Sequence, residues 1–306
     1  MDVILANPRG FCAGVDRAIQ TVERAVDLFG TPLYVRHEIV HNKTVVTDLK
    51  ARGVVFVDEL ADVPDGAVVV FSAHGVATAV VDEAKRRGLF AIDATCPLVT
   101  KVHLEAQKFW REGVHILLVG HAGHVEVLGT MGQVPPEGMT LVENMVQAET
   151  VTVPTPDKVA VLTQTTLSVD ETKGIFTVLR RRFPALLEPK TDDICYATQN
   201  RQDAVKALAE KADAILVVGS KNSSNSNRLK EVAVASGVAR AYLVDGPADL
   251  APEMFDGVKT LGITAGASAP EHVVQAVVAA VGATRVETLT TVTEDITFQL
   301  PKAVRP

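Results

Sequence analysis

The sequence predicts an α/β fold in which short parallel strands alternate with helices. Eight apolar segments have strand length, and helical segments separate most of them. Of the 306 residues, 47% are hydrophobic and only 5% aromatic, and this supply of Ala, Val, Leu and Ile is typical of alternating strands and helices. A weak repeat is also visible, because three apolar segments end in small residues followed by polar groups, at 68–75, 115–124 and 214–223.

The first strand and the first helix are the best marked elements. Residues 3–6 are apolar, and Gly30 ends a helical pattern formed by Val15, Ala18, Ile19, Val22, Val26 and Phe29. Further strands are predicted at 54–57, 67–71, 115–119, 158–162, 214–218, 240–244 and 259–263. Further helices are predicted at 41–52, 76–87, 97–111, 168–182, 197–210, 224–237 and 270–281. Strands that alternate with helices pair in parallel through crossover connections.

Charge and cysteine content exclude several classes of protein. The formal net charge of −7 disfavours nonspecific binding to nucleic acid, although a local pocket can still attract a small anion. No apolar run is long enough to span a membrane, and the first residues lack the features of a signal peptide. Three cysteines without close pairs argue against a disulfide framework. We therefore expect a cytoplasmic protein with no nucleic-acid or membrane partner.

The three cysteines occur in similar contexts. Cys12, Cys96 and Cys195 each lie just before a predicted helix, where the helix dipole favours a thiolate. Three thiolates on a soft metal site leave one coordination position open for chemistry. The separations of 84 and 99 residues match no local zinc or ferredoxin pattern, and a buried inert thiol is the common alternative for any single cysteine. The shared context favours one thiol from each of three units at a common metal without deciding it.

Polar motifs follow most of the predicted strands. They occupy residues 41–42, 72–75, 121–126, 163–168, 220–227 and 264–268. Hydroxyls, amides and helix N-termini together are typical of a phosphate or diphosphate site, and His41, His74 and His124 would add donors to it. Neither a Walker lysine motif nor a GxGxxG motif is present, which disfavours nucleotide binding by those routes.

Individual residues of these motifs also have simpler explanations. Ser168 and Ser224 are each explained as helix N-caps, and His103 and His115 as structural or exposed residues. Glu126 stands two residues after His124, where a carboxyl group can relay a proton into a closed site, but an ordinary surface glutamate is the alternative.

Taken together, these motifs resemble the IspH/LytB family of 4-hydroxy-3-methylbut-2-enyl diphosphate reductases. The similar segments run in order through 6–15, 72–75, 93–97, 120–126, 163–168, 192–198, 222–226 and 264–270. The resemblance implies a pseudo-threefold trefoil of three small α/β units around a central 4Fe–4S cluster. We expect these units at 13–96, 97–193 and 194–281. Residues 1–12 would form the N-terminal strand and cluster loop, and 282–306 an extended tail.

The resemblance also implies roles for particular residues. Cys12, Cys96 and Cys195 would be the three ligands of a 4Fe–4S cluster with one open iron. Glu126 would be the proton-relay carboxylate, and Thr165 would lie beside the substrate hydroxyl. His124 would be the third residue of the catalytic group. The contacts to the substrate diphosphate would come from His41, His74, His124, Ser223, Ser224, Asn225 and Ser268.

The implied reaction is the reductive dehydroxylation of an allylic diphosphate, the last step of the non-mevalonate (methylerythritol phosphate) route to isoprenoid precursors. 4-Hydroxy-3-methylbut-2-enyl diphosphate would give isopentenyl diphosphate and dimethylallyl diphosphate, with electrons from a ferredoxin or flavodoxin. A cluster-dependent hydro-lyase, an iron–sulfur sensor and a three-thiolate zinc protein are the alternatives.

Overall fold

The computed structural model describes residues 1–305 and contains three parallel sheets. The strands are β1 (Asp2–Asn7), β2 (Leu33–Arg36), β3 (Val54–Val57), β4 (Val68–Phe71), β5 (Phe90–Asp93), β6 (His115–Val119), β7 (Met139–Val142), β8 (Val159–Thr163), β9 (Ala214–Val218), β10 (Ala241–Val244), β11 (Thr260–Ala265) and β12 (Arg285–Thr290). The helices are α1 (Ala13–Phe29), α2 (Lys43–Ala51), α3 (Thr78–Arg86), α4 (Pro97–Arg111), α5 (Val125–Met131), α6 (Met145–Thr150), α7 (Val169–Arg182), α8 (Tyr196–Ala209), α9 (Ser224–Ala235) and α10 (Glu271–Val281).

The chain divides into two compact units. Unit 1 consists of residues 1–16, 40–49 and 196–297. Unit 2 consists of residues 17–39, 50–195 and the C-terminal residues from 298 onward. The expected division into 13–96, 97–193 and 194–281 stays a prediction.

Unit 1 is built on a five-stranded sheet in the order β10–β9–β11–β1–β12, with all neighbours parallel. Successive side chains of a strand point to opposite faces, and β1 shows this directly. Val3 and Leu5 pack in a cluster with α10, whereas Ile4 and Ala6 pack in a cluster with α8 and α9. Because helices cover both faces of β1, β9 and β11, these three strands are nearly continuous apolar runs, which made them visible in the sequence. The edge strand β12 is exposed along most of its length.

Unit 2 contains two smaller sheets. The four-stranded sheet has the order β3–β2–β4–β5 and the three-stranded sheet the order β7–β6–β8, again with all neighbours parallel. In the three-stranded sheet, β6 is buried on both faces: Leu117 and Val119 pack with α7, and Ile116 and Leu118 pack with α4. The predicted α/β class with short parallel sheets is confirmed.

The first helix illustrates what periodicity predicts well and where it fails. The helix ends at Phe29, and Gly30 follows in a left-handed conformation with φ of 76°, as predicted for a helix stop. The predicted buried face is wrong at one end, because Phe29 is 43% exposed. The last turn of the helix lies at the surface, and the buried face of the preceding turns includes Thr21 and Ala25.

Candidate functional site

Each cysteine lies directly before a helix, as predicted. Cys12 precedes α1, Cys195 precedes α8, and Cys96 is the N-cap of α4 with a proline at the first helical position. Each cysteine is half-buried, and no disulfide links them among residues 1–305. Across the same residues, no three His, Cys, Asp or Glu side chains form a group able to hold a single metal ion.

The three cysteines also share a backbone contact that the sequence did not reveal. In each case the cysteine N–H donates to a carbonyl of one of the polar motifs that follow the strands. The three bonds are Cys12 N to Ala267 O at 3.3 Å, Cys96 N to Ala73 O at 2.9 Å, and Cys195 N to Thr165 O at 3.1 Å. Three of the polar strand-end motifs, at 72–75, 163–168 and 264–268, therefore share a structural role, in which the motif anchors a cysteine at the start of a helix. Only the first of them belongs to the weak sequence repeat.

In unit 2, Glu126 is buried and held on both carboxylate oxygens. Its side chain lies on the first turn of α5 and the residue is only 4% exposed. Thr165 donates its backbone N–H to Oε1 at 2.6 Å and its hydroxyl to Oε2 at 3.0 Å. Burial raises the pKa of Glu126 to about 7, although the two Thr165 bonds oppose the change. The alternative of an ordinary surface glutamate is wrong, because Thr165 covers this carboxyl group from the end of β8.

Two of the predicted diphosphate contacts, His74 and His124, lie close together in the same unit. Their ring centroids are 6.0 Å apart in an edge-on arrangement. His124 is the N-cap of α5 and accepts the N–H of Glu126 at Nδ1, with a distance of 3.2 Å. An accepting Nδ1 places the proton of the neutral ring on Nε2. Nδ1 of His74 lies 3.2 Å from the hydroxyl of Ser72.

The other predicted contacts lie in unit 1. Ser268 donates its hydroxyl to the carbonyl of His41 at 2.9 Å, and Asn225 accepts the N–H of Ala267 at 2.8 Å. Ser223 is the N-cap of α9 and accepts the N–H of Ser226. The explanation of Ser224 as an N-cap is therefore wrong, since Ser224 is the first residue of the helix proper.

The simpler explanations hold for three other residues. Ser168 is the N-cap of α7 and accepts the N–H of Glu171 at 3.2 Å. His103 and His115 are both structural, because each is only 8% exposed. His115 pairs through Nε2 with the hydroxyl of Thr140 at 2.9 Å. Burial lowers the pKa of His103 to about 4.

Sequence reasoning missed two ion pairs that adjoin the cysteine segments, each with one fully buried side chain. In unit 1, Arg201 is fully buried, donates to the carbonyl of Gly10 at 2.8 Å and pairs with Glu294 at 2.9 Å. In unit 2, Lys101 pairs with the buried Asp193 at 2.9 Å. Burial raises the pKa of Asp193 against the opposing effect of Lys101. Only the position of Asp193, two residues before Cys195, could have drawn attention to it.

A family model described as "LytB protein" matches residues 3–282. The chain belongs to the LytB protein family. Curated members include a protein of Ectopseudomonas mendocina (strain ymp), 58% identical over 311 residues, covering 100% of this chain and 99% of that protein. A protein of Tolumonas auensis is 56% identical over 310 residues, covering 100% of both. Both are named 4-hydroxy-3-methylbut-2-enyl diphosphate reductase.

Solved structures of the family share the fold. The E-1-hydroxy-2-methyl-but-2-enyl-4-diphosphate reductase from Plasmodium falciparum superposes with a TM-score of 0.95 at 38% identity, covering 99% of this chain and 96% of that one. A second structure has a TM-score of 0.65 at 31% identity, covering 92% of this chain and 99% of that one. It is described as the (E)-4-hydroxy-3-methyl-but-2-enyl diphosphate reductase, the terminal enzyme of the non-mevalonate pathway. In this LytB protein, no helix within residues 1–305 combines the length and apolar character needed to cross a membrane.

Proposed function

We propose that this chain reductively dehydroxylates 4-hydroxy-3-methylbut-2-enyl diphosphate to isopentenyl diphosphate and dimethylallyl diphosphate. The substrate gains two electrons and two protons, its C–O bond breaks, and the oxygen leaves as water. Full-length relatives that are 55% to 58% identical carry the name of this reductase. The observation that carries the proposal is the buried Glu126, which Thr165 holds on both oxygens beside His124, because this reaction needs a proton donor next to an anion site.

The three cysteines fit the ligand set of a 4Fe–4S cluster. Each is half-buried, is anchored through its backbone N–H, and stands at a helix N-terminus that favours the thiolate. Soft thiolate donors suit iron–sulfur clusters, and three of them leave one iron open. When bound, the cluster supplies electrons one at a time and a Lewis-acidic iron that assists C–O cleavage. We propose Cys12, Cys96 and Cys195 as its ligands.

Glu126 serves as the proton donor in this proposal. Hydroxide is a poor leaving group, so protonation of the departing oxygen lowers the barrier. With a pKa of about 7, the carboxyl group holds its proton in about half of the molecules at neutral pH. The hydroxyl of Thr165 donates to Glu126 and so orients the carboxyl group, and the Thr165 oxygen remains able to accept a bond from the substrate hydroxyl.

The remaining residues supply diphosphate contacts. The ring donors are His41, His74 and His124, and the hydroxyl and amide donors are Ser223, Ser224, Asn225 and Ser268. Such contacts far from the reacting carbon hold the allyl chain in the reactive orientation. Donors of this kind are needed because the chain as a whole carries a net charge of −7 and repels a free diphosphate.

The electron source and the compartment follow from the same chemistry. Single electrons come from a small redox protein, a ferredoxin or flavodoxin. Thiolate ligands and a labile open iron need a reducing environment, so we propose that the enzyme works in the cytoplasm.

The test is anaerobic purification, iron and sulfide analysis, and turnover with a chemical reductant. We expect about four irons and four sulfides per chain and formation of both products only when the reductant is present. A hydro-lyase would convert substrate without reductant, a sensor would carry the cluster without turnover, and a zinc protein would contain zinc instead of iron. A fully loaded, reduced protein that forms neither product would overturn the proposal.

A further inference from the structure

Lys101 connects α4 to the segment that precedes Cys195. Its ammonium group donates to the carbonyl of Thr191 at 2.5 Å, to the carbonyl of Asp192 at 3.3 Å and to Oδ1 of Asp193 at 2.9 Å. All three acceptors lie within four residues of Cys195. Since an ammonium group has three hydrogens, these contacts use its full donor capacity, with Glu105 as a further charge neighbour at 3.6 Å.

Asp193 continues this connection to β8. Its side chain is fully buried, and its second oxygen accepts the backbone N–H of Thr163 at 2.9 Å. Two residues later, the carbonyl of Thr165 accepts the N–H of Cys195. The N–H and hydroxyl of Thr165 hold Glu126. The buried carboxylate of Asp193 therefore holds the end of β8, and the residues that follow this strand hold both Cys195 and Glu126.

The other end of the connection is Cys96. Lys101 lies five residues after this N-cap, on the second turn of α4, and a helix is stiff over that distance. Cys96 is itself anchored to Ala73, next to His74. Helix α4, the Lys101–Asp193 pair and the end of β8 thus form a continuous chain of contacts from one cysteine to the other within unit 2.

We propose that Lys101 and Asp193 are positioning residues, which set Cys96 and Cys195 relative to one another and keep Glu126 aligned with Thr165. The inference rests on the proposed function only in treating the cysteines as ligands. Buried partners of this kind orient the groups that bind a metal, and their loss lowers affinity or activity by about 10- to 100-fold.

The test compares Lys101→Met, Lys101→Arg and Asp193→Asn in the full-length holoprotein. The matched control is Lys108→Met on the same helix, whose ammonium group is exposed and lies 3.9 Å from Glu112. The measurements are hydrogen exchange by mass spectrometry on three peptides, covering 96–100, 191–197 and 10–14. They are combined with iron content and the electron paramagnetic resonance spectrum of the reduced cluster.

We expect exchange in K101M and D193N to rise about tenfold or more at 96–100 and 191–197 and to stay unchanged at 10–14 around Cys12. The resonance spectrum should change, and kcat should fall about 10- to 100-fold with KM nearly constant. K101R should recover most of each property, because it keeps the charge and the donors, and K108M should match the wild type. If K101M does not fold, the test can be made with D193N alone, because asparagine has the same shape as the aspartate it replaces.

Two results would overturn the inference. One is a wild-type spectrum and wild-type exchange at 191–197 in both K101M and D193N. The other is an equal rise in exchange at 10–14, which would indicate general destabilisation. Hydrogen exchange and the resonance spectrum can both be measured without turnover. A failure of the proposed reaction would therefore be recognised separately, because the wild-type protein would carry a full cluster and form no product.

Discussion

Replacing Glu126 with glutamine should lower turnover and, at the same time, stabilise the folded protein at alkaline pH. Glutamine has the same shape as glutamate, and its carbonyl oxygen can still accept the N–H of Thr165 that bonds the native carboxylate at 2.6 Å. It cannot donate a carboxyl proton to a leaving hydroxyl group. Because general acid catalysis contributes about 10²- to 10⁴-fold, we expect kcat to fall by that factor with little change in KM.

The stability effect follows from the raised pKa of Glu126. Its pKa is 4.5 in an unperturbed chain and about 7 in the folded protein, so the folded state resists ionisation. The stabilising contribution is fully present below pH 4.5 and is lost as the pH rises through 7. The loss amounts to about 3 kcal/mol by pH 8, and about 2 to 3 kcal/mol of it falls between pH 5 and pH 8. Glutamine stays neutral throughout, so E126Q should not show this loss.

The assay is denaturant unfolding of E126Q and wild type at pH 5 and pH 8, in the same cluster state, together with anaerobic turnover. The control is Glu137→Gln, which removes an exposed carboxyl group from the same unit. The free energy of unfolding of E126Q relative to wild type should rise between the two pH values, whereas that of E137Q should not. Near-normal turnover in E126Q would remove Glu126 from the proton path, and a pH-independent difference in stability would refute the burial argument.

Three further predictions concern the neighbouring segments. The single changes C12S, C96S and C195S should each lower iron content and the brown absorbance of the purified protein. Gly75→Ala should destabilise by about 1 to 3 kcal/mol and raise KM, because Gly75 has φ of +78° and a new Cβ would lie 2.5 Å from Cε1 of His103. Glu294→Gln should destabilise by about 1 to 3 kcal/mol, because it leaves the fully buried guanidinium of Arg201 without its counter-charge.

Matched variants separate these explanations. Gly66 has nearly the same φ of +76° but open space around its Cβ position, so Gly66→Ala measures the backbone strain alone. Equal effects of G66A and G75A would refute the contact with His103. Glu287 is half exposed and pairs with Arg285 at the surface, so Glu287→Gln should change stability little. An E294Q variant as stable as E287Q would refute the counter-charge argument, and unchanged iron in a serine variant would remove that cysteine from the ligand set.

The elements that the sequence predicted best are those buried on both faces. Strand β6 and helix α4 match their predicted limits of 115–119 and 97–111, because continuous apolar runs and a proline at the helix start are local signals. Strands β2, β5 and β7 were not predicted, and the segment of β12 was predicted only as an extended tail. Of these four strands, β5, β7 and β12 lie at the edges of their sheets, whereas β2 lies between β3 and β4 and has only four residues. Phe90 at the start of β5 is 46% exposed, so an edge strand of this kind lacks the apolar pattern.

In the candidate site, too, the features with a local sequence signal were predicted and those that depend on distant segments were not. The position of a cysteine before a helix is local, and all three predicted contexts are confirmed. The burial of Glu126 depends on Thr165, which lies 39 residues away, and the partners Lys101 and Asp193 are separated by 92 residues. Contacts between distant segments depend on tertiary packing, and the spacing of residues within one segment does not predict them. The family resemblance supplied Glu126 and Thr165, but the Lys101–Asp193 and Arg201–Glu294 ion pairs were found only in the structure.

The position of β1 has a consequence for how the protein is made. This strand comprises residues 2–7, yet it lies between β11 and β12, and the amide of Cys12 is bonded to Ala267. During synthesis the N-terminal segment emerges first and must wait for the last fifth of the chain before it has a neighbour. Long-range parallel pairing of this kind forms slowly and leaves an apolar strand exposed to aggregation. Cys12, the first of the three cysteines to be translated, can therefore gain its backbone bond to Ala267 only late in synthesis.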